Sequence, residues 1–181
     1  MRYVPNLLSA ARLALAPYLF FLLARREYRL ALAVCLIAGV TDGLDGLIAR
    51  RYSAASRLGA YLDPVADKIL LSGAFVTLAI SGAIETWLAV LVLGRDALIL
   101  LFAAGAFALT SLRNFPPSIW GKTSTAAQIA FVFVVVASFA GVGMGKLIDP
   151  LKWLTVALTC VSAAHYGWRG FAMTRPKAAR A

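Results

Sequence analysis

Six apolar runs follow one another along this chain, each long enough to cross the hydrocarbon core of a bilayer, which takes about 20 predominantly apolar residues as a helix. They predict helices at 6–24, 29–51, 59–82, 85–109, 119–143 and 148–172. The breaks between them carry the Gly, Pro and polar signals that end helices: Arg25 to Arg29, Tyr52 to Leu58, Ser81-Gly82, Arg113 to Pro117 and Gly141 to Lys146. With 61% hydrophobic and 14% charged residues over 181 positions, little is left for a soluble domain. The expected fold is an all-α, integral membrane bundle of six transmembrane helices, forming one domain over 1–181 with no internal repeat.

The net charge of +10 does not make the chain a nucleic-acid binder, because its basic residues sit at the ends of apolar runs and are not clustered with aromatics. Topology explains them better. With both termini in the cytoplasm, ten basic residues fall inside (Arg2, Arg50, Arg51, Arg57, Arg113, Lys122, Arg169, Arg175, Lys177, Arg180) and five outside (Arg25, Arg26, Arg29, Lys146, Lys152). The Arg25 to Arg29 cluster runs against that bias. Arg12 interrupts what would otherwise resemble the apolar core of a signal peptide, so the first run is read as a helix of the mature protein. Cys35 and Cys160 lie inside apolar runs without metal-ligand spacing and read as packing residues. His165, the one histidine, sits beside Tyr166 and Trp168 and reads as an interfacial residue.

Of eight acidic residues, four fall in the stretch TDGLDGLIARRYSAASRLGAYLDPVADKIL. A carboxylate at membrane depth is costly and is by default paired, water-exposed in a cavity, or functional. Asp42 and Asp45 are three apart and Asp63 and Asp67 four apart, so each pair shares one face of its helix. An antiparallel turn around Tyr52 to Leu58 would bring the two pairs together. Four carboxylates without His or Cys favour a hard ion, Mg²⁺ or Mn²⁺, and suffice to bridge two ions. Two such ions suit displacement at phosphorus. Gly43, Gly46, Ala49 and Gly59 allow close approach, and Arg50 offers a guanidinium to phosphate. Neutralisation of Arg50, Arg51, Arg57 and Lys68 would also use these acids, but it explains neither their spacing nor the small residues among them.

This stretch resembles the CDP-alcohol phosphotransferase family, whose signature is D-x2-D-G-x2-A-R-x8-G-x3-D-x3-D. Every defined position is present: Asp42, Asp45, Gly46, Ala49, Arg50, Gly59, Asp63 and Asp67. Beyond it, PNLLSAARLALAP, the Gly94-Arg95-Asp96 triplet and SIWGKTSTAAQ from Ser118 are similar to the branch of phosphatidylglycerophosphate synthases and CMP-forming cardiolipin synthases. The resemblance implies a homodimer and a reaction in which an acceptor hydroxyl attacks the β-phosphorus of CDP-diacylglycerol, releasing CMP at the cytoplasmic face. It also implies that the four aspartates bind two metals, that Asp67 is the general base, and that Gly46, Arg50 and Gly59 lie at the CDP moiety.

The acceptor expected is sn-glycerol 3-phosphate, with phosphatidylglycerol as the alternative. Arg95, Lys122 and Arg12 are candidates to grip the acceptor phosphate, against a salt bridge to Asp96 for Arg95 and snorkelling at a helix end for Lys122. A divalent-cation transporter would use buried acids too. It would need polar residues continuing to the opposite face, whereas 70–80 and 130–140 are almost wholly apolar.

Overall fold

The computed structural model describes residues 4–52, 57–109 and 118–174. Six long α-helices account for almost all of them: α1 (Val4–Ala24), α2 (Tyr28–Tyr52), α3 (Arg57–Ile80), α4 (Thr86–Leu109), α5 (Ile119–Phe139) and α6 (Ile148–Thr174). A short 3₁₀ turn, Gly145–Leu147, leads into α6, and no strand occurs among the described residues. The all-helical expectation and the number of helices hold. Several ends move by two to four residues.

Those shifts have a backbone cause. At the end of α3, Gly82 adopts φ 75°, and the Gly82 and Ala83 N–H groups donate to Ala79 O (3.1 Å) and Leu78 O (2.9 Å). At the end of α5, Gly141 adopts φ 92°, and Gly141 and Val142 donate to Ser138 O (3.1 Å) and Ala137 O (3.0 Å). Both are Schellman closures, in which a left-handed residue just past the helix satisfies its last carbonyls. The helix therefore stops before the glycine, at Ile80 and Phe139, although the apolar run continues.

The same closure ends α1 with an arginine. Arg26 has φ 60°, and Arg26 and Glu27 donate to Leu23 O (3.1 Å) and Leu22 O (2.9 Å). A left-handed conformation costs a non-glycine residue roughly 1–2 kcal/mol. The Arg26 guanidinium offsets part of this by donating to Ser81 O at 2.7 Å, which ties the α1–α2 turn to the end of α3. Lys152, near the start of α6, reaches Glu85 in the α3–α4 connection (2.8 Å), and Tyr28 stacks on Phe139 at 4.9 Å. All three hairpin turns thus share one end of the bundle. Lys152 holds the Glu85 carboxyl below the usual carboxylate range, so this tie is present at neutral pH and fades as acid protonates Glu85. At a half-exposed site solvent screens the pair and its contribution is small.

The core joins α1, α3, α4 and α5 through Leu19, Leu23, Phe75, Leu78, Leu88 and Phe131, all essentially inaccessible. α1 packs closely on α3, and α5 on α6, while α2 rests on α1 and α5. The close approach of α1 to α3 depends on Gly73, where an added Cβ would lie 2.1 Å from Phe20 Cζ. Gly73→Leu is expected to lower stability by about 1–3 kcal/mol through overpacking. Thermal unfolding in detergent measures this, and an unchanged midpoint would show that Phe20 swings aside at no cost.

Polarity is inverted relative to a soluble bundle. Ser124, Gln128, Thr155 and Thr159 are 0% exposed, while Ile80, Leu101, Ile119 and Trp168 are at least 71% exposed. Exposed apolar surface on this scale suits a lipid surround. Two segments, Ile119–Phe139 and Gly145–Trp168, are long and apolar enough to cross a membrane among the described residues.

Candidate active site

Asp42, Asp45, Gly46 and Arg50 lie in the C-terminal half of α2; Gly59, Asp63 and Asp67 lie in the N-terminal half of α3. Both halves point away from the end that holds the three hairpin turns. The same-helix pairing expected from the i, i+3 and i, i+4 spacing is therefore present. Of these side chains only that of Asp67 is described, and it is exposed. How the two acidic pairs meet lies outside the described residues, as do the side chain of Arg12 in α1 and the 53–56 connection. Among the described residues no three His, Cys, Asp or Glu side chains cluster. The donor chemistry itself, four carboxylates and no nitrogen or sulfur, fits a hard divalent ion.

Next to Asp67 the chain builds a polar joint at the level of the signature. Lys68 Nζ is 2.6 Å from Asp96 Oδ1, and Arg95 Nη1 donates to the same oxygen at 2.7 Å. Arg95 also donates from Nε (3.1 Å) and Nη2 (2.7 Å) to Ser162 Oγ, and from Nη2 to Gly121 O at 3.4 Å. Its guanidinium and the Asp96 carboxylate are both buried, so these bonds form in a medium where an unpaired charge would be expensive. The joint thereby ties α3, α4, α5 and α6 together. Arg95 takes the salt-bridge role weighed against phosphate binding in the sequence reading.

The start of α5 is fixed from the same side. Ser118 caps the helix by accepting from Gly121 N at 3.0 Å, and its own N–H donates to Tyr166 Oη at 3.0 Å. Lys122 follows in the first turn with an exposed side chain. A cation there opposes the helix dipole, which favours negative charge at that end, and so needs another reason to be retained. His165 meets Tyr166 edge-on at 6.1 Å, in keeping with a packing role. Deeper in, Ser124, Gln128 and Thr159 share weak hydrogen bonds between α5 and α6.

Sequence reasoning met Asp96 as a salt-bridge partner for Arg95 and Lys68 as a cation for the signature aspartates, but did not pair the two with each other. The signal was available: Asp96 is an acid in the middle of an apolar run, and Lys68 directly follows the last signature aspartate.

A six-helix bundle with apolar residues outside and polar residues inside defines an all-helical protein whose surface suits a membrane. The model of the CDP-alcohol phosphatidyltransferase family matches residues 2–164, and the chain belongs to that family. It is 32% identical to the CMP-forming cardiolipin synthase of Homo sapiens over 91% of this chain and 61% of that protein. It is also 32% identical to the CDP-diacylglycerol–glycerol-3-phosphate 3-phosphatidyltransferase of Aquifex aeolicus, over 94% of this chain and 97% of that one. A third relative, the CMP-forming cardiolipin synthase of Streptomyces coelicolor, is 30% identical over 91% of this chain and 74% of its own. The chain thus spans less than two thirds of the human relative's length.

Proposed function

We propose that this chain is a multi-pass membrane enzyme that transfers a phosphatidyl group from CDP-diacylglycerol to sn-glycerol 3-phosphate, giving phosphatidylglycerophosphate and CMP. The observation that carries the reading is the complete signature, with Asp67 exposed on α3 at the end away from the hairpin turns. Asp42, Asp45, Asp63 and Asp67 would hold two divalent ions, Mg²⁺ or Mn²⁺, which supply charge stabilisation to the attacking and leaving oxygens. Asp67 takes the proton of the acceptor hydroxyl as its oxygen bonds to the β-phosphorus, and the bond to CMP breaks. Gly46, Arg50 and Gly59 receive the CDP moiety. Lys122, exposed at the head of α5, and Arg12 are the cations offered to the acceptor phosphate; Arg95 is committed to Asp96, Ser162 and Gly121.

The active site faces the cytoplasm in this reading, in line with the excess of basic residues on that side, and two chains form a homodimer as the family resemblance implies. Glycerol 3-phosphate is preferred as acceptor because the chain aligns with almost the whole length of the Aquifex aeolicus relative. Phosphatidylglycerol is the second reading, favoured by the similarity to CMP-forming cardiolipin synthases. Cation transport is disfavoured by the apolar packing of Phe75, Leu78, Leu88 and Phe131, which offers a cation no polar path through the bundle.

The test is purified protein with CDP-diacylglycerol and Mg²⁺, given glycerol 3-phosphate, phosphatidylglycerol, inositol phosphate or serine separately, with CMP release as the readout. Release with glycerol 3-phosphate alone is expected. Release only with phosphatidylglycerol would move the assignment to cardiolipin synthesis, and none with any acceptor would overturn the enzyme reading.

A further inference from the structure

At the end of the bundle that holds the hairpin turns, Arg26, Glu27, Tyr28, Arg29, Leu30 and Phe139 line an open cavity of about 360 Å³. Its lining is amphiphilic. Two guanidinium groups and one carboxylate stand beside Leu30 and Phe139, both exposed apolar residues, and Phe139 is stacked on Tyr28 at 4.9 Å. Arg26 donates from Nη2 to Ser81 O, which occupies only part of the five-donor guanidinium fork. Arg29 is exposed, and its side chain has no ion pair or hydrogen bond among the described residues. Glu27 is the one acid in the lining. The first turn of α2 adds no other, and its positive end favours an anion, so the cavity keeps an excess of positive charge.

The surroundings place this cavity at the level of lipid headgroups. Trp87 and Trp153, near the starts of α4 and α6, meet at 6.2 Å on the same end, as interfacial aromatics do. Arg25 lies 5.1 Å from the centre of the Phe21 ring, which is itself exposed on the apolar flank of α1. Lys152 is already neutralised by Glu85 (2.8 Å) and Asp149 (3.0 Å), whereas the arginines around α2 are not matched in this way. Three arginines within five residues also run against the charge bias of the sequence, which leaves this end poor in cations.

We infer that this cavity is a binding site for the phosphate headgroup of an anionic phospholipid, in the leaflet opposite the signature aspartates. Arg29 and the remaining N–H groups of Arg26 take the phosphate oxygens, a task that suits the planar guanidinium fork, and Arg25 adds to the local field. Leu30 and Phe139 meet the first part of the acyl chains. The apolar lining selects a lipid over a free phosphate, and the excess positive charge selects an anionic lipid over a zwitterionic one. The site is separate from the proposed catalytic centre and does not depend on which acceptor the enzyme uses.

The experiment is native mass spectrometry of the purified full chain released from detergent, titrated with dioleoylphosphatidylglycerol or dioleoylphosphatidylcholine, which counts bound lipids and chain copies together. Phosphatidylglycerol is expected to bind about tenfold more tightly, and Arg29→Gln to weaken it by about fivefold, since one cation near an anionic lipid is worth about 1 kcal/mol. Phosphatidylcholine binding and CMP release should be unchanged in that variant. Lys122→Gln, at the other end of the bundle, should leave phosphatidylglycerol binding as it is. Equal affinity for the two lipids would overturn the inference. So would weakening in Lys122→Gln without weakening in Arg29→Gln, which would assign the lipid to the catalytic end. Displacement of the lipid by an equal concentration of its free headgroup, glycerophosphoglycerol, would reject the lipid as the occupant. A change in the number of chain copies in Arg29→Gln, with lipid count unaltered, would give the cavity to a second copy of the chain.

Discussion

Asp67→Asn is expected to abolish turnover while leaving the fold intact and part of the nucleotide affinity in place. The substitution keeps size and shape, but an amide cannot accept the acceptor's proton. Loss of a positioned base alone costs about 10²–10⁴-fold in rate. A neutral oxygen is also a poorer partner for a hard cation, so the loss of a ligand adds to this. Because the Asp67 side chain is exposed and asparagine keeps its shape, the fold should survive the change. Activity and stability are thereby separable. CMP release measured beside thermal unfolding and CDP-analogue binding distinguishes them: full turnover would remove Asp67 from the base role, and a collapsed midpoint would make the loss uninformative about chemistry and assign Asp67 to the fold.

What the sequence made legible follows from how local each signal is. The six helices could be read because each is a long apolar run, and Gly82 and Gly141 lie at the helix ends that their own left-handed backbone creates. The end of α1 was harder. Arg26 takes the conformation that glycine takes elsewhere, and nothing local announces it; its reward, the bond to Ser81 O, comes from a distant turn. The acidic pairs were readable as pairs because three- and four-residue spacing is a property of one helix. The Lys68–Asp96–Arg95–Ser162 joint was not, since it assembles three helices whose order in space no periodicity encodes. Buried Ser124, Gln128 and Thr159 were hidden for a related reason: an apolar run that faces lipid on one side can hold its polar residues inside.

That joint also bears the largest predicted effect on stability. Arg95 is 4% exposed and donates to a carboxylate, a hydroxyl and a carbonyl on three helices. Arg95→Met fills similar space but leaves Asp96 with Lys68 as its remaining cation and removes the donors to Ser162 Oγ. Breaking a buried pair in this way costs about 3–5 kcal/mol. Against a total of roughly 5–15 kcal/mol for a typical domain, that is a severe loss, visible as a large drop in the thermal midpoint in detergent. Arg95→Lys should fall between the two, because one ammonium cannot span Asp96, Ser162 and Gly121 as the guanidinium fork does. A grip on acceptor phosphate predicts the opposite pattern, an unchanged midpoint with a raised KM for the acceptor. The cause of the loss can then be isolated by removing the stranded charges as well. Arg95→Met with Asp96→Leu and Lys68→Met should recover much of the stability, since an apolar replacement of a whole buried ionic group is often neutral. A triple variant no more stable than Arg95→Met would place the cost in helix packing and not in unpaired charge.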